Sequence, residues 1–274
     1  MNIDIFLAPY DSAQRGTRMG AGPERLIAAG LPAHLERQGH RIGCTVLDPP
    51  TGSWRAEIRT AFELATALAA HVRASRERGH FPLVLAGNCF AALGVVAGLG
   101  AGTGVLWCDA HGDFNTPETT TGGFLDGMAL AALTGRCWTA MAGQVPGFAP
   151  VPEAHVWLLG SRDLDPLEAE ALQHSRVRRV PAAAIDAGLG DSVRHELVGP
   201  ERLYLHLDLD VLDPSEGQAN EYAVAGGVSA AALQAAFRTL GERARPAALT
   251  ISAYDPAYDV DGRVCRAAFE AVGA

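Results

Sequence analysis

The stretch VLWCDAHGDFNTPETTTGGFLDGM, Val105 to Met128, decides the fold, because an apolar run passes without a break into Asp109, His111 and Asp113. A short apolar run ending in polar residues reads as a buried strand, and alternate residues of an extended chain point to one side. One imidazole and two carboxylates therefore converge just past the strand's end, where they suit a metal ion. An oxygen-rich set with a little imidazole fits manganese or zinc better than copper or an iron–sulfur cluster. Such an ion turns water into hydroxide near neutral pH, so hydrolysis is the leading reading. The pattern returns in LYLHLDLDVLDP, Leu203 to Pro214, which places His206, Asp208 and Asp210 on one face of another apolar strand. Ionised carboxylates in a core are costly without cations. Aspartate caps and turns are the alternative for either stretch alone, and the repetition of the pattern weighs against them and for a metal centre.

Working outward, apolar runs alternate with helix-period stretches. IDIFLA precedes one over 23–38, IGCTVL one over 55–78, PLVLA one over 90–99 and GVLWC one over 127–134. HVWLLG precedes one over 166–174, LYLHLDLD one over 229–240 and AALTIS one over 262–272. That alternation predicts an α/β fold with a mostly parallel sheet covered by helices on both faces. No linker, repeat or low-complexity segment interrupts it, so residues 1–274 are expected to form a single domain. In open parallel sheets, ligands gather beyond the carboxyl ends of the strands. Cys89 follows PLVLA, Asp109 follows GVLWC, Arg162 and Asp163 follow HVWLLG, and Asp208 and Asp210 close LYLHLDLD, so all are expected at one rim.

Composition narrows the chemistry. A formal net charge of -9 argues against nucleic acid or an anionic membrane as partner, and is compatible with a small cationic substrate. All 22 basic residues are arginines, which excludes Schiff-base, pyridoxal-phosphate and P-loop chemistry that needs lysine. The cysteines number 5, lack C-x-x-C spacing and indicate neither a disulfide framework nor a zinc knuckle, so a reducing cytoplasm is expected. MNIDIFLAPYDS reads as a first strand rather than a signal peptide, and no apolar run reaches membrane-spanning length.

D-A-H-x-D-x-N-T at Asp109 to Thr116 and D-x-D-x-x-D-P at Asp208 to Pro214 resemble the two signature motifs of the arginase/agmatinase/formiminoglutamase superfamily, the ureohydrolases. G-x-G-P at Gly20 to Pro23, G-S-R-D-L-D-P at Gly160 to Pro166 and Y-D-P-A-Y-D at Tyr254 to Asp259 resemble further family signatures, so the likeness covers most of the chain. It implies a three-layer α/β/α sandwich holding two manganese ions bridged by a hydroxide, which attacks the central carbon of a guanidine or amidine. Homo-oligomerisation is expected on the same ground. Carried over, Asp113 and Asp210 belong mainly to one metal and His111 to the second, while Asp109 and Asp208 span both.

The departures from the family pattern carry as much information as the matches. Where most members have G-G-D-H, this chain has Ala86-Gly87-Asn88-Cys89. A thiolate is a competent ligand, whereas free cysteines are commonly small buried core residues; the setting favours Cys89 as a ligand. A cysteine there, with N-T-P-E-T-T, the G-x-L-x-G-M run and His206 in H-x-D-x-D, resembles the N-omega-hydroxy-L-arginine hydrolase branch. That branch implies a hydroxyguanidine substrate yielding hydroxyurea and ornithine. Asp126 stands where the family has a mobile histidine, and an aspartate shuttles protons near neutrality only when strongly perturbed. Asp113 and Asp126 are the catalytic candidates. The glutamate that receives a guanidinium in E-x-N-P is here Ala253, leaving Asp255 or Asp126 to replace its charge.

The resemblance also implies that Asp163 and Asp165 read a substrate amino group, though Asp165 equally suits a helix cap before Pro166. Asn115 and Thr120 resemble positions contacting an amino-acid carboxylate, and both residue types also build turns. Trp107 reads as core, Arg162 as a substrate-side or subunit contact, and 176–179 as solvated surface. The leading expectation is a binuclear manganese hydrolase of a C–N bond in a linear guanidino, hydroxyguanidino or amidino compound. The competing one, motivated by Ala253 and Asp126, is a non-catalytic arginase-like binding or regulatory protein. A metal-dependent deacetylase ranks last, because its usual histidine pair is absent.

Overall fold

The computed structural model describes residues 1–48, 56–187, 200–244 and 246–274. Strands β1 (Asn2–Ala8), β4 (Arg41–Val46), β5 (Phe81–Ala86), β6 (Thr103–Cys108), β7 (Val156–Leu159), β8 (Arg178–Val180), β9 (Arg202–Asp208) and β10 (Ala248–Ser252) form one sheet. Their order is β4-β1-β5-β10-β9-β6-β7-β8, and every pairing is parallel. A small antiparallel ribbon of β2 (Tyr10–Asp11) and β3 (Gln14–Arg15) follows β1.

Both faces of the sheet are covered, as the alternation of apolar runs and helices requires. Val105 and Trp107 of β6 join one apolar layer with Leu64, Leu68 and Val96 of the helices Glu57–Glu77 and Ala92–Leu99. Leu106 and Cys108 join the opposite layer with Leu26, Leu35, Leu233 and Val264. Alternate side chains of one strand thus enter two separate cores, each leucine contributing about 1.5–3 kcal/mol by leaving water. The result is the expected three-layer α/β/α arrangement.

Short elements are where the pattern misled. The stretch 23–38 is two helices, Gly22–Ala28 and Leu31–Arg37, broken at Gly30 with φ of 99° and restarted through Pro32. The helix expected over 55–78 runs Glu57–Glu77, and Arg55 lies outside the described residues. The basic run 176–179 enters an edge strand, β8, whose Arg178 guanidinium lies 5.0 Å from the Trp157 ring centroid. Among the described residues, no helix is long and apolar enough to cross a membrane.

Candidate metal centre

The chain leaves β5 for β6, three places away, and only later returns to lay β9 and β10 in the gap. The carboxyl ends of β5, β10, β9 and β6 therefore lie side by side, although they come from distant stretches of sequence. Each end is shaped by a local device. Beyond β5, a Cβ on Gly87 would lie 2.3 Å from the Tyr10 carbonyl oxygen, so only glycine permits the turn that delivers Asn88 and Cys89. Beyond β6, Asp109 accepts the Trp107 indole N–H on Oδ2 at 2.9 Å and the His111 backbone N–H on Oδ1 at 2.7 Å. Asp113 follows with φ of 48°, in the left-handed region that aspartate tolerates better than most residues. Beyond β9, Asp208 accepts the Asp210 N–H at 2.8 Å and closes the turn Leu209–Val211.

These ends bring the expected ligands together. Atoms of Cys89, Asp109 and Asp113 lie within 4.8 Å of one another, and so do atoms of Asp109, His111 and Asp210. Asp109 is common to both groups, and Asp208 Oδ2 lies 3.0 Å from Cys89 Sγ. Asp210 thus falls with His111, whose Nδ1 is 3.4 Å from it, and not with Asp113 as the motif carry-over had it. The cause is the single turn Leu209–Val211, which ends the strand's alternation at Asp208. Asp113 Oδ2 is buried without a hydrogen-bond partner, an orphan that a cation would satisfy. The donor set of carboxylates, one imidazole and one thiol fits a pair of divalent ions.

Charge in this cluster is strongly frustrated. Burial, then repulsion from Asp109, pushes the Asp113 carboxyl well above its ordinary range, and burial with Asp210 does the same to Asp208. Burial also raises Asp109 against the help of His111, and raises the Cys89 thiol well above its usual value. For Asp210 burial opposes ionisation, but the His111 charge and its hydrogen bonds hold the carboxyl below the usual range. For His111 burial opposes the charge, yet Asp210 and Asp109 hold it high. Without cations the cluster retains protons; cations reverse that preference by supplying the charge the acids lack.

A cavity of about 320 Å³ opens above the cluster, lined by Cys89, His111, Asp113, Asp208 and Asp210 and walled by the remaining candidates. Asn115 donates to Asp165 Oδ2 at 3.1 Å, and Thr120 Oγ1 accepts the Gly123 N–H at 3.0 Å; both side chains line the cavity. Asp165 forms a capping box with Glu168 at the start of the helix Pro166–Gln173 and also faces the cavity, so its two readings coexist. Asp163 is exposed at the rim, its Oδ2 3.9 Å from His111 Nε2. Asp126 lines the cavity while its Oδ1 accepts the Phe90 N–H at 2.8 Å and its Oδ2 accepts the Asn88 amide at 3.0 Å. Burial pushes it up to about 7 against those hydrogen bonds.

Three expectations change. Asp255 does not line the cavity: its Oδ1 accepts the Ala257 N–H at 2.9 Å in a local turn, so it does not replace the charge missing at Ala253. Ala253 does line it, in a left-handed conformation with φ of 60°. His206 lies beneath the cluster rather than in the cavity, fully buried and stacked on Trp107 at 3.7 Å, and burial pushes it down to about 3. Arg162 is spent inside the chain, its guanidinium donating to the carbonyls of Asp210 at 2.9 Å and Val224 at 2.8 Å.

Sequence reasoning passed over Glu168, Asn220, Phe124, Tyr222 and Met19, all of which line the cavity. Glu168 was findable: D-x-x-E before an apolar run is a capping signature. Its carboxylate accepts the Phe114 N–H at 2.8 Å, and burial pushes it up to about 7. Asn220 bridges Asp210 Oδ2 at 3.1 Å and the Ala253 carbonyl at 2.8 Å, a role with no local sequence signal.

Known proteins are similar to this chain over most of its length. The chain is 32% identical to an arginase of Bacillus caldovelox over 259 residues, 88% of this chain and 86% of that one. It is 31% identical over 242 residues to the N(omega)-hydroxy-L-arginine amidinohydrolase of Streptomyces lavendulae, 87% of this chain and 84% of that one. The crystal structure of arginase from Bacillus cereus superposes with a TM-score of 0.90 at 26% identity, covering 100% of this chain and 97% of the other. The family profile described as Arginase family matches residues 1–274, and the chain belongs to the arginase family.

Proposed function

We propose that the chain hydrolyses a C–N bond of a linear guanidino compound, with a hydroxyguanidino amino acid of the N-hydroxy-L-arginine kind as substrate and two manganese ions as metals. Cys89, Asp109 and Asp113 would hold one ion, with Asp208 beside the sulfur, and Asp109, His111 and Asp210 the other. When bound, such a pair supplies an acidified water and positive charge for the tetrahedral centre. The chain's own residues do the rest. Asp163 and Asp165 offer carboxylates to a substrate amino group at the rim, and Asn115 and Thr120 offer polar contacts to its carboxylate. Asp126, buried beside the cluster and lining the cavity, is the candidate to hand a proton to the leaving group.

The observation that carries the substrate is Ala253. A guanidinium seated above the cluster meets a methyl group where a carboxylate would pair with it, and Asp255 is turned away. A hydroxyguanidine is less basic than a guanidine and gives up its proton more readily, so it forgoes less by that loss. The similarity to the Streptomyces lavendulae amidinohydrolase supports the same choice. The grouping of Cys89, Asp109 and Asp113, and of Asp109, His111 and Asp210, supports the catalytic reading over the non-catalytic one. The described cysteines are all free, which fits a reducing cytoplasm, and a homo-oligomeric state completes the proposal.

Turnover of arginine, N-hydroxy-L-arginine, agmatine, guanidinobutyrate and formiminoglutamate with added manganese tests the reading. The expected result is the highest kcat/KM on N-hydroxy-L-arginine. Preference for arginine or agmatine would refute the substrate, and absence of metal-dependent turnover on all five would favour the binding-protein alternative.

A further inference from the structure

Behind Cys89 runs a line of polar side chains that the hydrolytic reading does not use. Cys89 Sγ lies 3.1 Å from Ser252 Oγ, Ser252 Oγ lies 3.1 Å from His206 Nε2, and His206 Nδ1 lies 3.0 Å from the Tyr204 hydroxyl. The Tyr204 hydroxyl in turn lies 2.7 Å from Thr250 Oγ1. Ser252, His206, Tyr204 and Thr250 are all 0% exposed. Strand register explains the row: Thr250 pairs with His206 and Ser252 with Asp208, across β10 and β9. Four buried polar side chains between two apolar layers are costly unless each is hydrogen-bonded. Here each is, and the line ends on the sulfur.

Serine, tyrosine and a neutral histidine each both donate and accept, so the line from Cys89 to Tyr204 can run in two opposite directions. In one, Ser252 donates to His206 Nε2, Nδ1–H donates to Tyr204 and Tyr204 donates to Thr250, leaving the serine oxygen to accept from a thiol. In the other, Tyr204 turns its hydroxyl hydrogen from Thr250 to Nδ1, Nε2–H donates to Ser252, and Ser252 donates to the sulfur. A cysteine that ligates a metal has lost its proton and presents only lone pairs. The second direction alone then leaves no oxygen lone pair against the sulfur. Among the described residues the other acceptor for Ser252, the Leu207 carbonyl, is 3.5 Å away, at the limit for a hydrogen bond.

We infer that Ser252, oriented by His206 as its Nε2–H tautomer, is a positioning residue that donates a hydrogen bond to the Cys89 sulfur and holds it as a metal ligand. This rests on the reading that Cys89 binds a metal. The stack on Trp107, 3.7 Å away and tilted by 12°, fixes the imidazole plane, while Tyr204 fixes its rotation. Outer hydrogen bonds of this kind orient a ligand and tune its donor strength.

Cobalt(II) loading gives a readout independent of turnover, because a sulfur ligand produces a thiolate-to-cobalt charge-transfer band. The wild-type protein is expected to show the band and Cys89→Ser to lose it. Ser252→Ala is expected to shift the band and weaken cobalt affinity about ten- to a hundredfold, and Ser252→Thr, which keeps the hydroxyl, to restore both. A wild-type protein without the band would overturn the ligation reading and this inference together. A band present in wild type and unmoved, with unchanged affinity, in Ser252→Ala would overturn this inference alone. Nitrogen-15 spectra of zinc-loaded wild-type protein need no variant: Nε2–H is expected at His206, and an Nδ1–H tautomer would overturn the inference.

Discussion

Replacing His206 with phenylalanine should flatten the acid limb of the stability curve of the metal-free protein. His206 is fully buried against Trp107, and burial takes its imidazole from 6.5 down to about 3. The folded chain therefore keeps it neutral across a range in which the unfolded chain takes up a proton. Stability owed to the neutral form is complete above pH 6.5 and is lost as pH falls toward 3, because the unfolded state binds the extra proton. At about 1.4 kcal/mol per pH unit below 6.5, going from pH 7 to pH 5 costs about 2 kcal/mol. Phenylalanine keeps the stack but leaves Tyr204 and Ser252 one partner short, so the variant starts lower, by about 1–3 kcal/mol, and declines less. Urea denaturation of chelator-stripped protein at the two pH values measures both effects. The wild type should lose about 2 kcal/mol more than the variant; parallel declines would show that His206 is already protonated in the fold, and the argument would fail.

Asp208→Asn should abolish metal binding and turnover yet stabilise the stripped chain at neutral pH. The folded carboxyl is raised by burial and by Asp210, so its contribution is present below pH 3.8 and is lost progressively as pH rises above that value. A gain of about 1–2 kcal/mol in denaturant midpoint terms is expected, and a loss would contradict the frustrated-charge picture. Ala253→Glu should raise kcat/KM for arginine about ten- to a hundredfold through one charge-assisted hydrogen bond; steady-state kinetics showing no gain would place the guanidine elsewhere. Gly112→Ala puts a Cβ 2.5 Å from Glu168 Oε1 and forces that carboxylate off the Phe114 N–H, for an expected loss of about 1–3 kcal/mol on thermal melting. An unchanged melting temperature would mean the glutamate can shift without cost.

The central strands were legible because they are buried on both faces and read as unbroken apolar runs. The cluster was legible because each of its acids follows such a run. What could not be read is what the chain does after a strand stops. Extended alternation correctly brought Asp109 and Asp113 to one place, but it failed at Asp210, where a single turn replaces the strand. It failed again at His206, which shares a face with Asp208 in sequence and ends up below the cluster, bonded to β10. Asn220 and Ser252 carry no motif; only the pairing of β10 with β9 and the folding back of the loop after β9 place them.

Two departures that look independent along the chain are joined in space. Asp126, in place of a histidine, and Cys89, in place of another, are separated by a long stretch of sequence. Yet the Asp126 carboxylate accepts from Asn88 on one side of Cys89 and from Phe90 on the other. An imidazole at 126 has one acceptor nitrogen when neutral and cannot serve both donors, so it would leave the turn that carries Cys89 unpinned. The aspartate therefore has a structural reason to accompany the cysteine, apart from any proton it transfers. A swap of both positions toward histidine should be tolerated better than Asp126→His alone. In a double-mutant cycle with Cys89→His, stability and cobalt affinity should couple by more than about 0.5 kcal/mol, the level expected for independent sites. Additive effects would separate the two departures and return Asp126 to a purely catalytic explanation.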